Sequence, residues 1–278
     1  LTGSMSTYIF RDMLLLERGP EESLWRAPTD NDKNQAKNWR LLGLDKLQRR
    51  VVSFNYEMMG SKVVKLHVET VLGSYAYKPV FKTMIDYTVF GNGDVRVDSQ
   101  FVPLRQMTWL PVIGFEMVLP FGFEHFSWYG RGPWENYIDK KESTIIDVYR
   151  ETVEEQYEPY VFPQESGNKT DVRWAGITDF HGNGLLFIGE PTFEISALHY
   201  TADDLDQAKH HWELTPREET IIKLNYQNSG LGSNSCGPDP MEKYRLKAEH
   251  IEFSFVIRPF ARSEHDEMSL SKRLPEVF

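Results

Sequence analysis

The stretch FKTMIDYTVFGNGDVRVDSQFVPL, residues 81–104, contains two runs with strand character on either side of GNGD at 91–94. The glycines of GNGD can adopt the positive φ angles that a tight turn between two strands requires. The stretch therefore predicts an antiparallel β-hairpin. Because most of the chain shows similar short runs between turn signals, this hairpin indicates the fold class of the whole sequence.

The remaining runs extend the same pattern over most of the chain. Apolar and polar residues alternate from Val64 to Val68, as in a strand with one buried face. The long amphipathic helices that an α/β barrel needs are missing. We therefore expect an all-β fold, a large antiparallel β-sandwich, forming a single domain over 1–278. The runs are KVVKLHVETVLG (62–73), FEMVLP (115–120), GLLFIG (184–189), FEISALHY (193–200), TIIKLNY (220–226) and HIEFSFVIRP (250–259).

Two segments favour helix. Residues 36–50 have the best helical pattern of the first half, although Gly43 interrupts it. The segment YTADDLDQAKHHWEL begins with Thr201, a good N-cap residue, and Asp204 three positions later completes an acidic version of the capping box. The second segment therefore predicts a short capped helix whose acidic residues lie at its positive end.

Composition limits the classes of partner. Of the 278 residues, 40% are hydrophobic, and 31 Lys and Arg against 41 Asp and Glu give a formal charge of -10. Nucleic-acid binding normally needs a basic patch, so nucleic acid is not an expected partner.

A single cysteine excludes an internal disulfide, and no apolar run approaches the roughly 18 residues of a membrane span. The first ten residues lack signal-peptide features, and GSM within 1–5 is interpreted as cloning-derived.

The segment RAPTDND contains acidic residues that could bind a cation. Asp30 and Asp32 flank Asn31 as at the start of a calcium loop, but the sixth position is Gln35 where that loop needs glycine. We therefore expect these side chains to hold a turn. Metal binding is not predicted here.

The segment YGRGPWENYIDKK (129–141) has two nearby glycines but lacks the spacing of a phosphate-binding loop. Glu135 and Asp139 could form a carboxylate pair. A turn network involving Asn136 and Lys140 is the favoured interpretation.

The segment PYVFPQESGNKTDVRW (159–174) combines carboxylates, an amide, an arginine and aromatics, as a glycosidase site would. Glycosidases need two carboxyl groups at a defined separation, which sequence spacing cannot establish. We therefore expect Glu165 to anchor a turn, paired with Arg173 or with the backbone, and Trp174 to begin the next strand. Histidines 199, 210 and 211 could supply imidazoles to a metal, but adjacent histidines at a helix end usually point apart.

Six motifs in one order resemble the C-terminal domain of family 2 β-galactosidases of the large, multidomain bacterial type. The resemblance extends from about Leu24 to Phe260 and implies a β-sandwich, often called a supersandwich, similar to galactose mutarotase. The motifs are LWRAPTDNDKN, YGRGPWENYIDKK, PYVFPQESGNKTDVRW, ISALHYTADDLDQAKHHWEL, GLGSNSCGP and FSFVIRP. They make the residues Arg26, Asp30, Asn31, Asp32, Glu135, Asn136, Glu165, Arg173 and Trp174 a structural signature.

The resemblance implies that the parent enzyme hydrolyses terminal β-galactosides with retention. Its two catalytic glutamates would lie on a separate upstream barrel, so no residue of this chain is assigned a catalytic role. The resemblance implies no cofactor in this fragment and places Mg and Na of the parent in other domains. In one branch a tryptophan of this domain forms a sugar platform, and the matching position here is Cys236. Asn234, Ser235 and Cys236 are therefore expected to shape a pocket wall.

The expected partners are the remaining domains of the parent, chiefly the catalytic barrel, and a β-galactoside. A membrane is not an expected partner. The compartment stays open between bacterial cytoplasm and periplasm. One alternative is a stand-alone aldose mutarotase or epimerase, which needs a general acid and base and could use His199 and Glu165. Another is a carbohydrate-binding module, in which Trp128, Trp134 and Trp174 would stack on sugars.

Overall fold

The computed structural model describes residues 3–75 and 77–275. Within these residues the chain forms fourteen β-strands and three short α-helices. The strands are β1 Tyr8–Phe10, β2 Met13–Leu16, β3 Arg18–Ser23, β4 Gln48–Met58, β5 Val63–Gly73, β6 Phe81–Phe90, β7 Val95–Pro103, β8 Val112–Leu119, β9 His125–Gly132, β10 Ile145–Thr152, β11 Lys169–Thr178, β12 Asn183–Leu198, β13 Thr220–Asn228 and β14 Ile251–Ala261. The helices are α1 Gln35–Leu41, α2 Ala202–Gln207 and α3 Glu267–Ser271.

The predicted hairpin is the pair β6 and β7, which run antiparallel from Phe81 opposite Pro103 to Val89 opposite Val95. Gly93, in the connecting turn, has φ +96°, a conformation that glycine adopts without steric penalty. The prediction of a hairpin is therefore confirmed. The hairpin lies within an antiparallel sheet of order β10-β9-β11-β12-β14-β7-β6-β5-β4.

The long strand β12 belongs to two layers. Its first part pairs with β14, from Asn183 to Glu190. Its last part, from Glu194 to Leu198, pairs with β13. Strand β13 in turn pairs with β8, and β8 with β3. This second group of strands is therefore joined to the large sheet through β12.

The main core lies between the two layers. Phe115 of β8 contacts Phe101 of β7 at 5.7 Å between ring centroids, and Phe255 of β14 at 5.5 Å. Since β8 shares no backbone ladder with β7 or β14, these rings meet across the space between the two layers. The expectation of a large antiparallel β-sandwich is confirmed.

One helix prediction is correct and the other is too long. Thr201 and Asp204 form the predicted capping box, since the Thr201 N–H donates to Asp204 Oδ2 at 2.8 Å and the Asp204 N–H donates to Thr201 Oγ1 at 3.1 Å. The helix expected over 36–50 ends at Leu41, and Gly43 follows with φ +74°. Residues from Gln48 onward are in β4, because strand pairing with β5 decides their conformation.

No helix in the described ranges is long and apolar enough to cross a membrane. Among the same residues, no group of three or more His, Cys, Asp or Glu side chains is arranged to hold a metal ion.

Candidate functional site

The loop of residues 229–236, which follows β13, is held from the interior by Arg26. This guanidinium is 1% exposed and donates from Nε and Nη2 to the two carboxylate oxygens of Asp32, at 3.1 and 2.9 Å. Its Nη1 donates to the Ser229 carbonyl at 2.6 Å. Burial alone would lower the pKa of Arg26, but the charge and hydrogen bonds of Asp32, aided by Glu165, raise it. Arg26 is therefore a charged tie between the 24–34 segment and the loop.

Asp32 is the centre of the turn predicted for the TDND sequence. Its Oδ2 accepts from both the backbone N–H and the hydroxyl of Thr29, at 3.0 and 3.1 Å. The Asp30 N–H donates to the side chain of Gln164 at 3.1 Å, which links this turn to the 159–174 segment. The Asp32 side chain therefore holds this turn as expected, whereas Asp30 contributes its backbone N–H and not its carboxylate.

Two further side chains hold the backbone of the 229–236 loop. Asn31 donates to the Gly232 carbonyl at 2.9 Å and accepts from the Ser235 N–H at 2.9 Å. Asp139 accepts from the N–H groups of Leu231 and Gly232 at 3.0 and 2.8 Å. Asp139 therefore serves the loop instead of forming a carboxylate pair with another acidic residue.

The three residues expected to form a pocket wall lie at the outer part of this loop. Ser235 and Cys236 are exposed, and Asn234 is half-buried. The Asn234 amide donates to Asp239 at 2.6 Å, and the Cys236 N–H donates to the Ser233 carbonyl at 3.1 Å. Small polar side chains are thus presented to the outside by a backbone that is fixed from within.

Glu135 and Asn136 hold the neighbouring turn as predicted. Glu135 accepts from Lys140 at 2.5 Å and from the Gly167 N–H at 3.0 Å. Asn136 accepts from the Thr170 N–H at 2.8 Å. These bonds join the 129–141 and 159–174 segments, which are remote in sequence, into one structure.

Glu165 is buried, but its ionic partner differs from the expected one. Its carboxylate lies 3.5 Å from Lys223 of β13, and its N–H donates to the Ala27 carbonyl at 3.0 Å. Arg173 instead donates to the Asp171 carbonyl at 2.5 Å, and its guanidinium lies over the Tyr129 ring. The proposed Glu165–Arg173 pair is not formed, because the fold brings the lysine of another strand to Glu165.

Another buried carboxylate of this region, that of Glu194 of β12, was not singled out from the sequence. Its Oε2 accepts from the Asn228 N–H at 2.9 Å, the Asn228 amide at 2.8 Å and the Asn168 amide at 3.1 Å. Burial outweighs these bonds and raises the pKa of Glu194 to about 7. The sequence feature that could have indicated Glu194 is its position between Phe193 and Ile195 in an apolar strand.

A family model described as β-galactosidase small chain matches residues 1–257. The chain belongs to the β-galactosidase small-chain family. The resemblance found in the ordered sequence motifs is therefore confirmed.

Curated β-galactosidases agree with this membership of the small-chain family. The β-galactosidase of Priestia megaterium is 32% identical over 237 residues, covering 84% of this chain and 22% of that protein. That of Staphylococcus xylosus is 30% identical over 256 residues, covering 92% and 26%. This small-chain member therefore spans about a quarter of their length.

Among solved structures, an aldose epimerase homologue from C. elegans is similar with a TM-score of 0.39 at 9% identity, over 75% of this chain and 68% of that one.

The structure of this small-chain member decides which predicted aromatic and imidazole groups reach the surface. Trp128 and Trp174 are buried, whereas Trp134 is 67% exposed. His199 Nε2 lies 3.0 Å from Glu124. Glu165 lies beside Lys223 instead. His199 and Glu165, the acid and base suggested for a mutarotase, therefore have different partners. His210 pairs with Glu213 at 2.9 Å.

Proposed function

We propose that this chain is the C-terminal, non-catalytic domain of a β-galactosidase and that it packs on the catalytic barrel of its parent. The observation that supports this role is the construction of the 229–236 loop. Arg26, Asn31 and Asp139 bind its backbone, while Ser235 and Cys236 remain exposed. A loop with fixed backbone and free outer side chains suits the wall of a pocket that another domain completes.

The chemistry of hydrolysis belongs, in this proposal, to two glutamates of the barrel acting on a terminal β-galactoside with retention. The 229–236 loop contributes position and shape. Asn234 and Ser235 offer hydrogen bonds to sugar hydroxyls, and Cys236 offers a small volume in place of an aromatic platform. Because the loop backbone is already ordered, binding substrate requires little further ordering of the wall.

The test uses the full-length parent with Asn234→Ala and Cys236→Ala. Loss of one hydrogen bond to the sugar should raise KM for lactose about threefold to tenfold for Asn234→Ala, with a smaller change for Cys236→Ala. If both variants keep the KM and kcat of the wild type, the loop does not form part of the pocket.

Glu165→Gln in the same parent separates structural from catalytic use of the 159–174 segment. Replacing the buried carboxylate leaves Lys223 without its ion-pair partner, so folding or docking should weaken. The turnover of correctly assembled enzyme should be retained. An enzyme that assembles normally but loses turnover would instead give Glu165 a chemical role.

A further inference from the structure

An aromatic pocket lies at the other end of β13 from the 229–236 loop. It has a volume of about 540 Å³ and is bordered by the turn after β8, the end of β12 and the segment before β13. Its principal side chains are Phe121, Glu124, Tyr157, His199, Tyr200 and Arg217. Since Thr220 and Asn228 are separated by eight residues of strand, at about 3.3 Å per residue the two ends of β13 are roughly 26 Å apart.

Aromatic rings form much of the pocket surface. Tyr157 and Tyr200 lie with their ring centroids 4.9 Å apart and their planes inclined by 52°. Phe121 is 76% exposed at the tip of its turn. An exposed phenylalanine beside two packed tyrosines provides flat apolar surface against which a ring with C–H groups on one face can stack.

His199 holds one polar group of the pocket in place. Its Nδ1 lies 3.1 Å from the Glu219 carbonyl, and its Nε2 lies 3.0 Å from Glu124 Oε2. The ring is therefore held between a backbone carbonyl and a carboxylate. Glu124 is thereby fixed, and its Oε1 has no hydrogen bond to another described residue.

The remaining polar groups offer both acceptors and a donor. The carboxylates of Glu154 and Glu218 border the pocket and make no hydrogen bond or ion pair with other described residues. Arg217 donates from Nε and Nη2 to Asp204, at 2.6 and 2.8 Å, which leaves Nη1 available. A ligand with hydroxyl groups can both donate to these carboxylates and accept from this arginine.

We propose that the aromatic pocket binds the pyranose ring of a neutral saccharide, at a site separate from the 229–236 loop. The ring would stack on the aromatic side chains, while its hydroxyls bond Glu124, Glu154, Glu218 and Arg217. An anionic ligand would be repelled by the three carboxylates, and a purely donating cation would leave Arg217 Nη1 unused. This binding makes and breaks no covalent bond.

Binding is tested on the 278-residue chain by titrating D-galactose and lactose while amide resonances are recorded. Saturable shifts are expected for residues 121–124, 199–200 and 217–218. Phe121→Ala should weaken binding about fivefold, because it removes a stacking surface without removing a core residue. Phe180→Ala is the matched control, since Phe180 is 85% exposed in another turn and lies outside the pocket. It should bind like the wild type.

Several results would overturn the proposal. One is the absence of saturable shifts with either sugar, and another is equal binding by Phe121→Ala and wild type. A third is tighter binding of choline, a cation used as the comparison ligand, than of galactose. The result does not depend on the role of the 229–236 loop. That role is tested by the kinetics of the parent, whereas this pocket is tested by direct binding to the chain.

Discussion

The two ends of β13 use similar residue types in opposite ways. Near Asn228, the carboxylate of Glu194 is enclosed and accepts from amide and backbone N–H groups. Near Thr220, Glu124 is partly exposed, and it has one oxygen bonded to His199 and the other without a described partner. Both ends thus contain carboxylates beside nitrogen donors. Residue type alone does not distinguish them.

The difference shows how burial separates structural from ligand-binding polar groups. A buried polar group is unfavourable unless the protein satisfies it, and at the Asn228 end the Glu194 carboxylate receives its hydrogen bonds from protein amide and backbone N–H groups. A polar group beside an open pocket can be satisfied by water and then by a ligand. We therefore expect substitutions at the Asn228 end to change stability, and substitutions at the Thr220 end to change binding.

The largest expected effect is that of Arg26→Ala. It removes the partner of buried Asp32 and four hydrogen bonds, so the free energy of unfolding should fall by about 3–5 kcal/mol. Denaturant unfolding measures the change. Arg40→Ala is the control, because the Arg40–Asp206 pair is partly exposed to solvent and should contribute at most about 1 kcal/mol. Equal losses in both variants would contradict a special role for the buried pair.

Glu194→Gln sharpens the comparison through pH. The pKa of Glu194 is raised from 4.5 to about 7, so the folded protein binds this proton more tightly than the unfolded chain. The resulting stabilisation is present below pH 4.5 and is lost as pH rises to 7. Relative to the variant, the wild type should therefore lose about 3 kcal/mol over this interval.

Unfolding curves at several pH values give this difference directly. Trp134→Ala, an exposed substitution without a titratable group, should follow the pH profile of the wild type. A stability difference between wild type and Glu194→Gln that does not change with pH would show that Glu194 is not preferentially protonated in the folded state.

Asn31→Ala should have an intermediate effect. It removes one hydrogen bond donated to Gly232 and one accepted from Ser235, so stability should fall by about 1–2 kcal/mol. Hydrogen exchange of the Ser235 amide should become faster, while amides of β13 remain protected. Unchanged exchange at Ser235 would show that Asn31 does not hold the loop.

The smallest effect is expected for Cys236→Ala. Cys236 is exposed at the outer part of the 229–236 loop, so thermal unfolding should give a stability within about 0.5 kcal/mol of the wild type. A large loss would place Cys236 in the structural network and would weaken its assignment to a pocket wall.

Local signals in the sequence predicted several elements correctly. The glycines of GNGD and the Thr201–Asp204 capping box depend on neighbours within a few residues, which the sequence contains in full. The helix expected over 36–50 shows the limit of this reasoning. Residues from Gln48 onward pair with β5, and that pairing outweighs a weak local helical pattern.

The amino-acid sequence by itself determined the strand-rich fold class, the turn around Asp32 and the family. Only the tertiary structure decided that Glu165 pairs with Lys223, that Glu194 is enclosed, and that Phe121, Glu124 and Tyr200 meet at one pocket. The physical reason is that strand pairing and sandwich packing bring together residues far apart in the chain. Their spacing in sequence therefore carries no information about the distance between their side chains.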